Sequence, residues 1–163
     1  GSGEDAFFAL VDPPAALTAA SAVTKNASTQ MLSYAAVQPV LTQALARWAA
    51  AGVNPSALAG IDIHIADLAG ATLGIASGNT IYLDATAAGW GWFIDPTPAD
   101  DSEFTMPGNQ GEMNRIDLLT VLEHELGHIL GYQHTATGLM NDTLAAGIRE
   151  MPTAVIDQFF AGF

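Results

Sequence analysis

His124-Glu125-Leu126-Gly127-His128-Ile129-Leu130-Gly131-Tyr132-Gln133-His134 is the stretch that decides how this chain is read. Its pattern is H-E-x-x-H-x-x-G-x-x-H. On a helix, His124 and His128 stand four residues apart and lie one turn above the other on the same face, so their imidazoles can hold one metal ion together. Glu125 sits beside that face, where its carboxylate reaches a metal-activated water without binding the metal itself. Glycine takes positive φ without a Cβ clash, so Gly131 suits the point where the helix stops and the chain turns back. That turn lets His134 supply a third nitrogen from outside the helix. Three protein ligands and one open position make the catalytic zinc arrangement.

Taken alone, H-E-x-x-H also describes two partly buried polar histidines on a helix. The longer pattern fixes Gly131 and His134 as well, which makes coincidence a poor explanation. On these residues the sequence resembles the metzincin clan of zinc endopeptidases, and within it the matrixins and their bacterial relatives. The resemblance implies one catalytic Zn2+ held by His124, His128 and His134. It also implies hydrolysis of protein or peptide substrates, with Glu125 as general base and then general acid. The family places a methionine turn beneath the metal, and Met140 in Gly138-Leu139-Met140 matches it; otherwise a methionine there is core filler. The implied architecture is α+β, the metzincin-like zincin fold. In it a twisted mixed sheet packs on a long helix and an active-site helix, and a C-terminal helix follows the Met-turn.

Three features depart from the family. With a single spare histidine, His64, the three-histidine structural zinc site of matrixins is excluded. No tyrosine stands two residues after Met140, so the tyrosine ligand of the astacin type is missing. The link from His134 to Met140 is short. None of these touches the catalytic residues.

The chain has 163 residues and half of them are hydrophobic, enough for one compact domain with its own core. Gly1-Ser2-Gly3 reads as a cloning remnant, leaving 4–163 as a single catalytic domain. No apolar stretch is long enough to span a membrane, so no membrane insertion is expected. Seventeen acidic residues against four basic ones give a formal charge of −13. Such a chain repels nucleic acid and anionic membranes and suits a secreted or saline setting. There is no cysteine, which excludes disulfides, thiolate ligands and cysteine-switch latency within this chain. The expected state is a monomer, secreted or at the cell surface as part of a larger protein.

Along the chain, residues 4 to about 30 carry the weakest signal, with Thr18 to Thr29 open between an edge strand and a loop; Glu4 or Asp5 reaching the zinc is one route to latency. Residues 34 to 51 read as a helix: Val37, Leu41, Leu45 and Trp48 recur at helical spacing and Gly52 closes the run. Pro39 is assigned to the first turn, which places the regular helix at 38–51. Ile61 to Ile65 alternates and reads as a half-buried strand with His64 on its surface. Leu73–Ser77 and Thr80–Leu83 read as strands around the Gly78-Asn79 turn. By resemblance the first is the edge strand lining the cleft, with Leu73, Gly74, Ile75 and Ala76 binding substrate backbone as an added strand; otherwise the two are an interior pair without a binding role.

Trp90 and Trp92 are read as core or cleft-wall packing. Asp95, Asp100, Asp101 and Glu103 form an acidic loop. Oxygen-rich loops can hold Ca2+, but this spacing is no EF-hand, so the loop is read as solvated and no calcium ligand is assigned. This region resembles metzincin-like domains embedded in large bacterial surface or secreted proteins. Asn114 is the expected cap of the motif helix, with Asp117 complementing its first turn, and Glu123 is expected to face solvent. By resemblance, residues 141–151 bound the substrate pocket. A last helix is expected from Met151-Pro152-Thr153, packing Val155, Ile156, Phe159 and Phe160. A second reading of function remains beside the protease: a module of a large surface protein that binds peptides or processes itself, with little turnover on outside substrates.

Overall fold

The computed structural model describes residues 16–23, 30–105 and 114–152. It is a mixed α+β arrangement, with two long helices against a mixed five-stranded sheet. Helix α1 spans Tyr34–Ala50. Ser33 caps it, accepting from the Ala36 amide at 3.2 Å. Val37, Val40, Leu41, Ala44 and Trp48 form its buried stripe. Pro39 therefore lies inside the helix, not in its first turn, and the helix begins four residues earlier than 38–51. The backbone bond that proline cannot donate would go to the Ala35 carbonyl. Both residues are on the exposed face, so the missing bond falls on the side of the helix open to solvent.

Strands β1 (Ala16–Ala19), β2 (Asp62–Ala66), β3 (Thr72–Ser77), β4 (Thr80–Asp84) and β7 (Thr143–Leu144) form the main sheet, in the order β2-β4-β3-β1-β7. β2 and β4 run parallel, and β3 folds back antiparallel on β4. Gly78 has φ +62°, as the first central position of a type II′ hairpin turn requires. β1 pairs antiparallel with β3 and parallel with β7. This corrects the reading of Leu73–Ser77 as an edge strand: β1 covers its free side. Ala16 to Ala19 is a short run of small residues with one leucine, too bland for its sequence to declare a strand.

A second, two-stranded sheet pairs β5 (Trp92–Phe93) with β6 (Ile116–Asp117) in parallel. β6 runs directly into the motif helix. A single helical turn, α2 (Ser102–Thr105), precedes α3 (Leu118–Ile129). The cap of α3 is Asp117, whose side chain accepts from the Thr120 amide and hydroxyl at 3.3 and 2.7 Å. Asn114 lies three residues short of it, exposed and at φ +64°. The pairing of β6 with β5 holds residues 116 and 117 extended, so the helix cannot begin at 114.

Helix α3 is buried along its length, with Leu118, Leu119, Leu122 and Leu126 inaccessible to solvent; each such leucine stabilises the fold by about 1.5–3 kcal/mol. Trp48 of α1 packs against α3 and donates its indole N–H to the Glu123 carbonyl at 2.9 Å. Trp92 donates to the Asp84 carbonyl at 2.8 Å, and Trp90 to that of Ser21 at 3.0 Å. The tryptophans are packing residues with satisfied N–H groups. The C-terminal helix expected after Pro152 lies outside the described residues, as do Glu4 and Asp5. No helix among the described residues is long and apolar enough to cross a membrane.

The acidic loop is not simply solvated. Arg149 donates to Asp117 through two nitrogens at 2.8 and 2.9 Å and to Asp101 at 2.9 Å, and forms an ion pair with Asp95 at 3.0 Å. Arg47 reaches Asp101 at 2.8 Å. The guanidinium groups balance these carboxylates, and Asp95 is buried. Phe104 of α2 lies under the Arg149 guanidinium, 4.4 Å from ring centre to Cζ. This hub ties the 95–101 loop to the cap of α3 and to the 145–150 segment. Neither arginine stood out in the sequence.

Candidate metal centre

Helix α3 brings His124 and His128 to one face. The helix ends at Leu130, and Gly131 turns the chain at φ +103°. The Gly131 and Tyr132 amides bond back to the His128 and Gly127 carbonyls at 3.0 and 2.9 Å. The reversal delivers His134. The Nε2 atoms of His124 and His128 are 3.0 Å apart, and those of His128 and His134 3.1 Å. One ligand atom from each ring falls within 4.8 Å of the others. Three histidines so placed can hold a metal ion.

Second partners fix which nitrogen faces inward. The Leu139 carbonyl lies 2.6 Å from His124 Nδ1 and the Tyr132 carbonyl 2.9 Å from His128 Nδ1. A carbonyl only accepts, so each Nδ1 carries the proton and each Nε2 presents a lone pair. Two Nε2 lone pairs at 3.0 Å have no proton to share and repel unless a cation lies between them. Tetrahedral zinc, with Zn–N of about 2.0–2.1 Å, holds its nitrogens about 3.3 Å apart. The donor set thus fits zinc without being specific for it. Burial, reinforced by the neighbouring imidazoles and opposed by the Leu139 carbonyl, holds His124 down at about 3. Burial also lowers His128 and His134, the latter against the pull of Asp142. The imidazoles stay neutral, as ligands must.

Glu125 is fully buried, and neither carboxylate oxygen has a hydrogen-bond partner among the described residues. Burial raises it well above the usual carboxylate range. Its neighbour across the helix–sheet contact is Gly74 of β3, where a Cβ would lie 3.2 Å from Glu125 Oε2. Gly74, expected from resemblance as a substrate contact, is thus the residue that leaves room for Glu125. Leu73 is in the core, Ile75 pairs with Ala16, and Ala76 pairs with Ile81.

Met140 is fully buried against Gly127 of the motif helix, where a Cβ would lie 2.7 Å from its sulfur. Glu123 does not face solvent. It is inaccessible and lies 3.7 Å from Arg47 Nε; burial raises its carboxyl strongly, against the pull of Arg47. The helix is covered on that side by α1, which the local pattern did not disclose. His64 takes no part in the cluster: its Nε2 lies 3.0 Å from Asp62 Oδ2, and its ring lies against Tyr82.

The residues that sequence reasoning missed are Gly127, Arg149 and the inner role of Gly74. Glycine inside a helix or strand pattern is the signal for close approach, and both glycines carried it. No family model, no characterised protein and no solved structure matches this chain.

Proposed function

We propose that this chain is a zinc-dependent endopeptidase of the metzincin type, matrixin-like, acting on protein or peptide substrates. The observation that carries the reading is the convergence of the His124, His128 and His134 Nε2 atoms, two of them oriented by carbonyls. The buried, unpartnered Glu125 next to the first histidine supports it. So does Met140, buried against Gly127, which lies between the two helical histidines in sequence. A zinc ion there supplies Lewis-acid polarisation of the scissile carbonyl and activation of water.

The protein's own residues do the rest. His124, His128 and His134 would hold the ion through their Nε2 atoms. Glu125 accepts a proton from the attacking water on a carboxylate oxygen and returns it to the nitrogen of the leaving amine. With no partner among the described residues, both oxygens are available for that exchange. The leucines of α3 exclude bulk water from behind the site. In this reading the domain works outside the cell or at its surface as part of a larger protein, as a monomer.

The test is cleavage of an unfolded protein such as casein by zinc-loaded chain, with a chelator and Glu125→Ala as controls. Chelator-sensitive cleavage that the variant lacks supports the reading. A loaded wild-type chain that leaves casein intact counts against it.

A further inference from the structure

Strand β1 is held as an extended peptide is held in a groove. Its two neighbours, β3 and β7, lie far from it in sequence. The Thr18 amide donates to the Asp142 carbonyl at 3.0 Å, the Ala19 amide to the Ala71 carbonyl at 2.9 Å, and the Ala20 amide to the Leu144 carbonyl at 2.9 Å. Successive amides thus bond to opposite walls, the grip by which an added strand is bound between two backbone edges. The free edge expected on β3 is filled by the chain itself.

Both walls of this groove belong to the metal centre. On one side Leu17 pairs with Gly74, the glycine that abuts Glu125. Paired strands lie about 4.8 Å apart, so Leu17 is one strand spacing from the residue touching the proposed base. On the other side Asp142 follows Leu139 by three residues, and the Leu139 carbonyl orients His124. The Leu17 side chain is 1 % exposed. With Thr120, Leu139, Leu144 and Ile148 it lines a cavity of about 380 Å³. Thr120 stands one helical turn before His124. Pairing with β7 begins at Thr18. Ala16 and Leu17 therefore pair only with β3 among the described residues, so the peptide bond joining them lies outside the stretch that β7 pairs.

We propose that Ala16–Ala19 is a built-in substrate strand, with Leu17 in the side-chain pocket, and that the domain cuts its own chain between Ala16 and Leu17. This rests on the zinc-endopeptidase reading above. In the step, water adds across the peptide bond. Its oxygen bonds to the Ala16 carbonyl carbon, the bond from that carbon to the Leu17 nitrogen breaks, and a proton passes through Glu125 to that nitrogen. The products are an Ala16 carboxylate and a Leu17 amine, with no oxidation or reduction.

The experiment has two readouts. Zinc-loaded full chain is followed by intact mass and N-terminal sequencing, beside Glu125→Ala and a chelated control. Hydrogen exchange is measured on metal-free Glu125→Ala, which stays uncut. The expected result is a new N-terminus at Leu17 in the loaded wild type alone, formed at a rate independent of protein concentration. In the uncut variant the Thr18, Ala19 and Ala20 amides exchange as slowly as those of β3, and Thr18→Pro, which removes the donor to Asp142, loses that protection. Casein cleaved while Ala16–Leu17 stays intact overturns this proposal and leaves the endopeptidase standing. Rapid exchange of the three amides overturns the seating of β1 whatever the activity. Loaded chain that cuts neither casein nor itself overturns both readings.

Discussion

Gly127 and Met140 share one space: a Cβ on Gly127 would lie 2.7 Å from the Met140 sulfur. The Trp48 ring stands 3.3 Å away on another side and is itself fully buried, so the sulfur has little room to move. Gly127→Ala gains about 1 kcal/mol of helix propensity and loses about 1–3 kcal/mol to overpacking. The expected net effect is a loss of stability and weaker zinc binding, because α3 must lift from the Met140 loop that orients His124. Thermal melts of Gly127→Ala, Met140→Ala and the double variant check this. The double variant should be more stable than the sum of the two single losses predicts; strict additivity would mean the two residues do not compete for space.

Arg149 is the residue whose loss should cost most outside the metal centre. Its side chain is 3 % exposed, and its partners Asp95 and Asp117 are inaccessible. Arg149→Met leaves two buried carboxylates without a counter-charge, a loss of about 3–5 kcal/mol. Arg149→Lys restores the charge but not the forked contact with Asp117, so it should recover only part of the loss. Urea unfolding of the two variants measures this. Because Asp117 caps α3, both variants should also bind zinc more weakly than wild type.

The same hub gives the fold an acid-sensitive contact. Burial alone would raise the Asp101 carboxyl, but hydrogen bonds from Arg47 and Arg149 outweigh it and hold the group below its ordinary 3.8. A carboxyl lowered in the fold contributes stability that is present above its unfolded value and is lost as pH falls through its folded value. Wild type should exceed Asp101→Asn by about 1 kcal/mol at pH 6, and the gap should close as pH drops below about 4. Denaturant melts across that range report it. A gap that widens in acid would contradict the assignment.

Gly74 limits what can sit beside Glu125. Gly74→Val sets branched carbons where a Cβ already approaches Glu125 Oε2 at 3.2 Å and Val121 Cγ1 at 3.2 Å. The expected outcome is a fall in turnover of at least roughly a hundredfold, through displacement of the proton carrier. Zinc stoichiometry should be unchanged, since the atoms nearest a Cβ at residue 74 belong to Glu125 and Val121, not to His124, His128 or His134. Metal content by mass spectrometry separates the two effects.

The histidine cluster was legible because its geometry is local. Helical periodicity places His124 over His128, and one glycine reverses the chain to bring His134 back. The two main helices and the β3–β4 hairpin were legible from periodicity and a Gly-Asn turn. What was hidden depends on distant partners. Glu123 and Asp117 are polar residues that only tertiary burial brings inside, beside Arg47 and Arg149. Pro39 is tolerated mid-helix because it and Ala35, whose carbonyl it leaves without a donor, lie on the exposed face. The edge position of Leu73–Ser77 was misjudged because a four-residue strand of small side chains, Ala16 to Ala19, comes from elsewhere in the chain to cover it.

One measurement tests the central claim most directly: casein cleavage by zinc-loaded chain, beside its chelated form and a zinc-loaded Glu125→Ala variant, with bound zinc counted in each. Cleavage by the loaded wild type alone, with about one zinc per chain in both wild type and variant, is the expected result. Wild type carrying a full zinc ion that cuts nothing, or a Glu125→Ala variant that cuts at the wild-type rate, would contradict it.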